Sequence, residues 1–289
     1  MSKREYVIFF TSFLISWNVF GSTENVLSEQ CQKDLSQFAG KYDKNLIESA
    51  CKKVIQLETC QSSLGVPIYH YDKKGKESDA KKILVFSLIH GDEIPAGSLG
   101  RFWMQRLEEI DSRNQWRIVP ILNPDGLKNK TRTNARKVDL NRNFPTRDWQ
   151  EKALIEWKQK MGGVPRRFPG DTAASEPETQ CALAQIQDYK PDFVVSIHTP
   201  LTVLDFDGPK LNPPKFESLP WKSLGHFPGS LGRYLWFERE TPVLTMELTS
   251  QLPKNLSSYE NLQDIIGGLV KQNINRRTAE LSALNQENH

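Results

Sequence analysis

The apolar positions of this chain fall into short unbroken runs, separated by longer stretches in which they recur every three or four residues. Residues 83–89 (ILVFSLI), 116–122 (WRIVPIL), 193–197 (FVVSI) and 242–248 (PVLTMEL) are runs of the first kind. A strand reads this way when both of its faces meet core. Residues 96–110, 176–189 and 259–284 carry helical spacing. Strands alternating with helices predict an α/β fold, with a mixed, partly parallel twisted sheet flanked by helices. Sites in such sheets sit at the carboxyl ends of strands, which says where to look for chemistry. Ahead of the first run, residues 22–66 read as a segment of short helices and residues 71–82 (YDKKGKESDAKK) as a charged, solvated loop. The expected division is a leader over 1–21, an N-terminal helical segment over 22–66 and a main domain over 67–289.

The leader is read from residues 6–20 (YVIFFTSFLISWNVF), an apolar run preceded by Lys3 and Arg4 and followed by Gly21 and Ser22. As a helix rising 1.5 Å per residue, such a run falls short of the ~30 Å hydrocarbon core, so a cleaved secretory signal fits better than an anchor. The mature chain is then expected to start near Ser22 and to be exported, to the periplasm or beyond, with no stable membrane insertion. Export makes disulfides plausible among Cys31, Cys51, Cys60 and Cys181. Three pairings are open. One bridge is expected to staple the N-terminal segment, while Cys181, inside a helical pattern, reads equally as a buried free thiol. A net charge of +3 with no basic stripe argues against a nucleic-acid partner. Nothing in the pattern specifies an oligomeric state.

Polar residues stand in unusual places. The first strand runs into His90-Gly91-Asp92-Glu93, and the third ends in His198. Two His and one Glu make the donor set of a three-ligand zinc site with an open position. Alone, H-x-x-E is a weak signal, since a His and a Glu often decorate a helix start. Asn123-Pro124-Asp125-Gly126 alone is a turn, and Arg132 and Arg142 alone are surface ion pairs. Glu247 interrupts an apolar strand and must find a partner there or a shifted pKa, which makes it a candidate general base.

Taken in order, H-x-x-E, N-P-D-G, R-x-N (132–134), D-L-N-R-N-F (139–144), S-E-P-E-T (175–179), S-I-H (196–198) and T-x-E-L (245–248) resemble the zinc metallocarboxypeptidases, the carboxypeptidase A-like family. That resemblance implies a carboxypeptidase-like catalytic domain with one Zn²⁺ bound by His90, Glu93 and His198. It implies Glu247 as the base acting on the attacking water, Arg132 beside the scissile carbonyl, and Asn141 with Arg142 gripping a substrate carboxylate. Asp139 would hydrogen-bond the second ring nitrogen of His90. Asp205-Phe206-Asp207-Gly208 and Phe227-Pro228-Gly229-Ser230-Leu231-Gly232 look like the bacterial murein peptide amidase A branch, whose substrates are peptidoglycan stem peptides cut between γ-D-glutamate and meso-diaminopimelate. Two departures stand out: Phe227 lies where digestive members carry a mobile Tyr, and the chain has a leader. Asp205 and Asp207 fit an acceptor for the distal ammonium of diaminopimelate and equally fit a turn. The alternatives are a conventional secreted carboxypeptidase, an N-acyl amino acid deacylase of the aspartoacylase kind, which fits S-E-P-E-T and T-x-E-L less well, and an inactive wall-binding module.

Overall fold

The computed structural model describes residues 20–210, 219–251, 259–260, 263–264 and 266–270. The leader pattern, Phe20 onward excepted, and most of the helical pattern over 259–284 lie outside the described residues. No helix among those described is long and apolar enough to cross a membrane.

Seven strands form one sheet in the order β1-β2-β4-β3-β5-β7-β6. The middle is parallel: β4 (Gln115–Val119), β3 (Lys82–Phe86), β5 (Phe193–His198) and β7 (Val243–Glu247) run the same way. Antiparallel strands flank them, with β1 (Ile55–Gln61) and β2 (Pro67–Lys73) on one side and β6 (Val203–Asp207) on the other. All four runs read as strands are the four parallel ones. Their continuous apolarity has a simple cause. In β3, Ile83 and Val85 face one core while Leu84 and Phe86 face a second.

The first core is closed by α1 (Phe20–Ser36), α2 (Lys44–Cys51) and α3 (Ile94–Glu109), the second chiefly by α6 (Pro177–Tyr189). Between them along the chain lie α4 (Pro124–Asn129) and α5 (Trp149–Gln159), and Leu231–Arg233 makes a short α7 that continues as a π-helical turn over Tyr234–Glu238. Arg101, buried in α3, locks the N-terminal helices in place. Its Nη1 and Nη2 donate to the carbonyls of Leu35, Phe38, Ala39 and Gly40 at 2.7–3.0 Å. Those four carbonyls follow or close α1, where helix geometry leaves acceptors without partners.

Three expectations need correction. The segment 22–66 is helical only as far as Cys51, because β1 extends the sheet edge within it. The mixed polarity of IQLETCQ hid that strand, since an edge strand half in solvent loses the continuous run. Likewise Tyr71, Asp72 and Lys73 belong to β2 rather than to a loop. Finally, Cys181 is not a free thiol. Cys31 pairs with Cys51, joining α1 to α2 as the staple expected, and Cys60 pairs with Cys181, joining β1 to α6. The second bridge spans 121 residues, a distance that sequence spacing could not connect.

Candidate active site

The four parallel strands end at one edge of the sheet, and a cleft of about 580 Å³ opens there. His90 lies just beyond β3, in the turn that leads to α3. Gly91 makes this turn possible: a Cβ on it would stand 2.0 Å from the carbonyl carbon of Gly126. The first glycine of the H-G-x-E turn is therefore pressed against the last residue of N-P-D-G. Asn123 completes the junction. It caps α4 by accepting from Gly126 N at 2.9 Å, and its Nδ2 donates to the carbonyls of Ile89 and Arg132 at 3.2 and 3.4 Å. What read as an ordinary turn ties the loop of His90 to the loop of Arg132.

His198 ends β5, and the β5–β7 register sets it opposite Glu247. Leu244 and Met246 of β7 enter the core, so Thr245 and Glu247 emerge on the other face, into the cleft. Strand pairing alone thus brings together two residues 49 positions apart in the chain.

His90, Glu93 and His198 are buried and form the one cluster of metal-ligand type found among the described residues, each offering an atom within 4.8 Å of the others. Glu93 Oε1 is 2.8 Å from His90 Nδ1, Glu93 Oε2 is 3.0 Å from His198 Nδ1, and the two Nδ1 atoms are 3.2 Å apart. The far nitrogens are occupied. His90 Nε2 lies 3.0 Å from Asp139 Oδ1 and His198 Nε2 lies 2.8 Å from Ser196 Oγ. An ionised carboxylate only accepts, so Asp139 places a proton on Nε2 of His90, the tautomer in which Nδ1 can bind a metal. Two imidazole nitrogens and a carboxylate lie within 4.8 Å of one another. Such a donor set fits a small divalent cation with nitrogen and oxygen ligands. Burial opposes ionisation of Glu93 and Asp139, yet the facing histidines, and for Asp139 chiefly Arg132, hold both below the usual carboxylate range.

Arg132 Nε donates to Asp139 Oδ2 at 2.9 Å, and its Nη1 lies 3.5 Å from Glu93 Oε1. Asn141 accepts from Leu231 N at 2.8 Å through Oδ1, which leaves its amide nitrogen for the cleft it lines. Arg142 is buried over the ring of Phe227, 4.4 Å from centroid to guanidinium, and its Nε has no partner among the described residues. Burial, with Arg132 and Arg167 nearby, lowers it to about 10, although Asp139 works the other way. Phe227, the departure noted in the sequence, is the platform of this arginine. Gly229 is required beside it, since φ is +77° and a Cβ would meet the carbonyl oxygen of Arg142 at 1.9 Å.

Every expected site residue, namely His90, Glu93, Arg132, Asn141, Arg142, His198 and Glu247, lines this one cleft, with Asp139 behind it. Asp205 and Asp207 also line it, two apart on β6 and therefore on the same face. Sequence reasoning missed Ser196, which backs His198. The signal was available, since S-I-H places Ser196 on the face of His198 in a strand of period two. Arg166 and Arg167 were missed as well, because an Arg pair after a Pro carries no pattern.

A mixed sheet with a parallel centre and a His-Glu-His set at its strand ends are features of the carboxypeptidase-like fold. Residues 79–161 match the succinylglutamate desuccinylase/aspartoacylase catalytic domain. That span holds H-x-x-E and D-L-N-R-N-F but stops short of S-E-P-E-T and T-x-E-L. Murein peptide amidase A of Vibrio campbellii is 32% identical over 142 residues, 45% of this chain and 55% of that protein. The Escherichia coli K12 protein of the same name is 34% identical over 42% of this chain and 50% of its own length. The chain thus matches about half the length of these relatives. The crystal structure of murein-tripeptide amidase from E. coli O157 aligns at a TM-score of 0.54 and 26% identity, covering 75% of this chain and 91% of that one. Bovine thrombin-activatable fibrinolysis inhibitor, in complex with tick carboxypeptidase inhibitor, shares the fold at a TM-score of 0.62 and 15% identity, over 85% and 97% of the two chains. The chain thus shares the carboxypeptidase-like fold and is similar, over part of its length, to murein peptide amidase A.

Proposed function

We propose that this protein is an exported zinc peptidase that hydrolyses peptidoglycan stem peptides at the γ-D-glutamyl–meso-diaminopimelate bond. The observation that carries the reading is the meeting of His90, Glu93, His198, Arg132, Asn141, Arg142 and Glu247 in one cleft. His90, Glu93 and His198 would hold the metal, which supplies Lewis acidity to the scissile carbonyl and its attacking water. Glu247 takes a proton from that water on a carboxylate oxygen and returns it to the leaving amine. Arg132, steered by Asp139, donates from its Nη atoms to the oxyanion that develops. Arg142 and Asn141 hold the carboxylate of the leaving residue, the unpaired Nε of Arg142 being a buried donor that such an oxygen satisfies.

Asp205 and Asp207 favour a leaving residue with an ammonium group over an ordinary apolar one. Both are buried in the cleft wall and both are raised, chiefly by burial. Gly232 leaves room for this: a Cβ there would stand 2.1 Å from Asp207 Oδ2. The test is mass spectrometry of muropeptides incubated with the zinc-loaded mature protein. Release of free diaminopimelate from L-Ala-γ-D-Glu-meso-Dap is the expected result. Cleavage only of ordinary C-terminal dipeptides would make the protein a conventional carboxypeptidase, and no cleavage of either kind would make it a binding module. Export is tested separately, by sequencing the N-terminus of protein recovered from outside the cytoplasm, where a start near Ser22 is expected.

A further inference from the structure

Four arginines line the cleft: Arg132, Arg142, Arg166 and Arg167. The proposed reaction employs two of them. The other two share a single turn, Pro165–Arg167, and that turn is firmly placed. Trp157 Nε1 donates to Val164 O at 2.9 Å, and the ring of Trp157 packs against Phe168 with centroids 4.9 Å apart. On the inner side, Asp139 N donates to Phe168 O at 2.8 Å. The residue that orients His90 and Arg132 therefore also anchors the backbone that presents Arg166 and Arg167.

The two guanidinium groups differ in partners. Arg166 Nη2 lies 2.9 Å from Oδ2 of Asp92, which is next in sequence to Glu93, while the other oxygen of Asp92 is buried without a partner among the described residues. Arg167 makes no side-chain hydrogen bond or ion pair with any described residue, although it is exposed in the cleft wall and adds to the positive potential at Arg142. Arg167 and Arg142 are like charges lining the same cleft and repel one another. A second anion relieves that repulsion.

We propose that Arg166 and Arg167 read a second substrate carboxylate, distinct from the one gripped by Arg142 and Asn141, so that the cleft selects dicarboxylate peptides. The inference rests on the peptidase reading of the cleft and adds a specificity determinant to it. Arg167 is the principal contact, with Arg166 divided between Asp92 and the ligand. A neutral amide at the same place accepts only a weaker hydrogen bond, so discrimination comes from charge-assisted pairing.

The test is binding to zinc-loaded Glu247→Gln protein, which is built not to turn over, by calorimetry at low salt. Three probes free of murein chemistry are compared: acetyl-Gln-Ala with one carboxylate, acetyl-Glu-Ala with a second on the acyl side, and acetyl-Gln-Glu with a second on the leaving side. One of the two dicarboxylates is expected to bind about tenfold more tightly than acetyl-Gln-Ala. Adding Arg167→Gln should shrink that ratio to about twofold, and adding Arg166→Gln as well should abolish it. The ratio of affinities is the readout, because a folding defect would lower all three alike. A ratio near one before any arginine is changed, or a ratio that survives in the double arginine variant, overturns the inference. Turnover of L-Ala-γ-D-Glu-meso-Dap by the parent protein is scored separately. Its absence would sink the murein reading while leaving the binding ratio to decide the role of the arginines.

Discussion

Two sets of polar side chains around the cleft have opposite fates. Asn134, Asn143, Glu176 and Glu178 are buried behind the cleft and saturated. Asn143 Nδ2 donates to Pro169 O, Thr172 O and Ser175 Oγ at 2.9–3.1 Å, and its Oδ1 accepts from Glu176 N. Asn134 Nδ2 donates to Glu176 and Glu178 at 2.7 and 2.9 Å, and Glu178 also accepts from the backbone and hydroxyl of Ser63. The second set, Arg142, Arg167, Asp92 and Glu247, faces the cleft. Among the described residues Arg142 Nε and Asp92 Oδ1 are buried without partners, and Glu247 accepts a single bond, 3.3 Å from Leu201 N. Residue type does not separate the sets; unfilled hydrogen-bonding capacity does. The saturated set fixes loops, and in the proposed reaction the unsaturated set is where a ligand would supply the missing partners.

The sharpest way to break this division is Glu247→Gln. Shape and burial are kept but the proton acceptor is lost, so kcat should fall by ~10²–10⁴ with Tm unchanged and KM nearly so. A fall in Tm in step with the loss of activity would move Glu247 into the saturated set. Next in size is Arg142→Gln. Its kcat/KM for substrates ending in a free carboxylate should drop by about 10², from loss of a charge-assisted pair, while the same substrates amidated at that carboxylate should lose far less. Equal losses on both would show that Arg142 supports the fold rather than reading a carboxylate.

Asn143→Ala should invert the pattern. It strips partners from several buried groups, and a destabilisation of about 2 kcal/mol is expected, seen as a lower denaturant midpoint. The kinetics of the fraction still folded should change much less than in Glu247→Gln. If instead stability held and kcat collapsed, Asn143 would have to touch the reacting groups, which its hydrogen bonds to residues 169–176 do not suggest.

The parallel centre of the sheet was legible because strands buried on both faces are largely apolar, and 83–89, 116–122, 193–197 and 242–248 are so, Arg117 and Glu247 being the charged exceptions. The edges were not. β1, β2 and β6 mix polar with apolar residues, and the end of β2 from Tyr71 looked like a loop because Asp72, which pairs with Arg117 Nε and Nη2 at 2.8 Å, needs a partner 45 residues away to be comfortable in a strand. The residues proposed to hold the metal, and Glu247, stood out in the sequence for a related reason: charge at the end of an apolar run has to be explained. Ser196 hid because a serine in a strand is unremarked. Arg166 and Arg167 hid because their meaning depends on Asp139 and Phe168 meeting, which no local pattern encodes. The Cys60–Cys181 bridge was closed to sequence reasoning too, since helix and strand partners are set by tertiary packing.

The smallest effect concerns Asp207, which belongs cleanly to neither set. Burial, with Asp205 beside it, pushes Asp207 up to about 6, although His226 Nδ1 lies 3.1 Å from its Oδ1 and works the other way. A carboxyl whose folded pKa exceeds its unfolded value holds its proton more tightly when folded. Between pH ~4 and about 6 the native state thus binds more protons, and stability falls as pH rises through that window. Asp207→Asn removes the penalty, so it should be more stable than the parent at pH 7 by ~1–2 kcal/mol, with the difference fading below pH 4. The same ionisation gives the cleft a charge for an ammonium group. Affinity of the parent for peptides whose leaving residue carries an amine should therefore rise a few-fold between pH 5 and 7 and stay flat in Asp207→Asn. Denaturant titrations of both proteins at pH 4, 5, 6 and 7, paired with inhibition constants for a lysine-ending and an alanine-ending dipeptide, decide the matter. A parent whose stability rises over that range would show Asp207 to be satisfied in the folded state, and the asparagine variant would then lose stability without any change in preference for the amine.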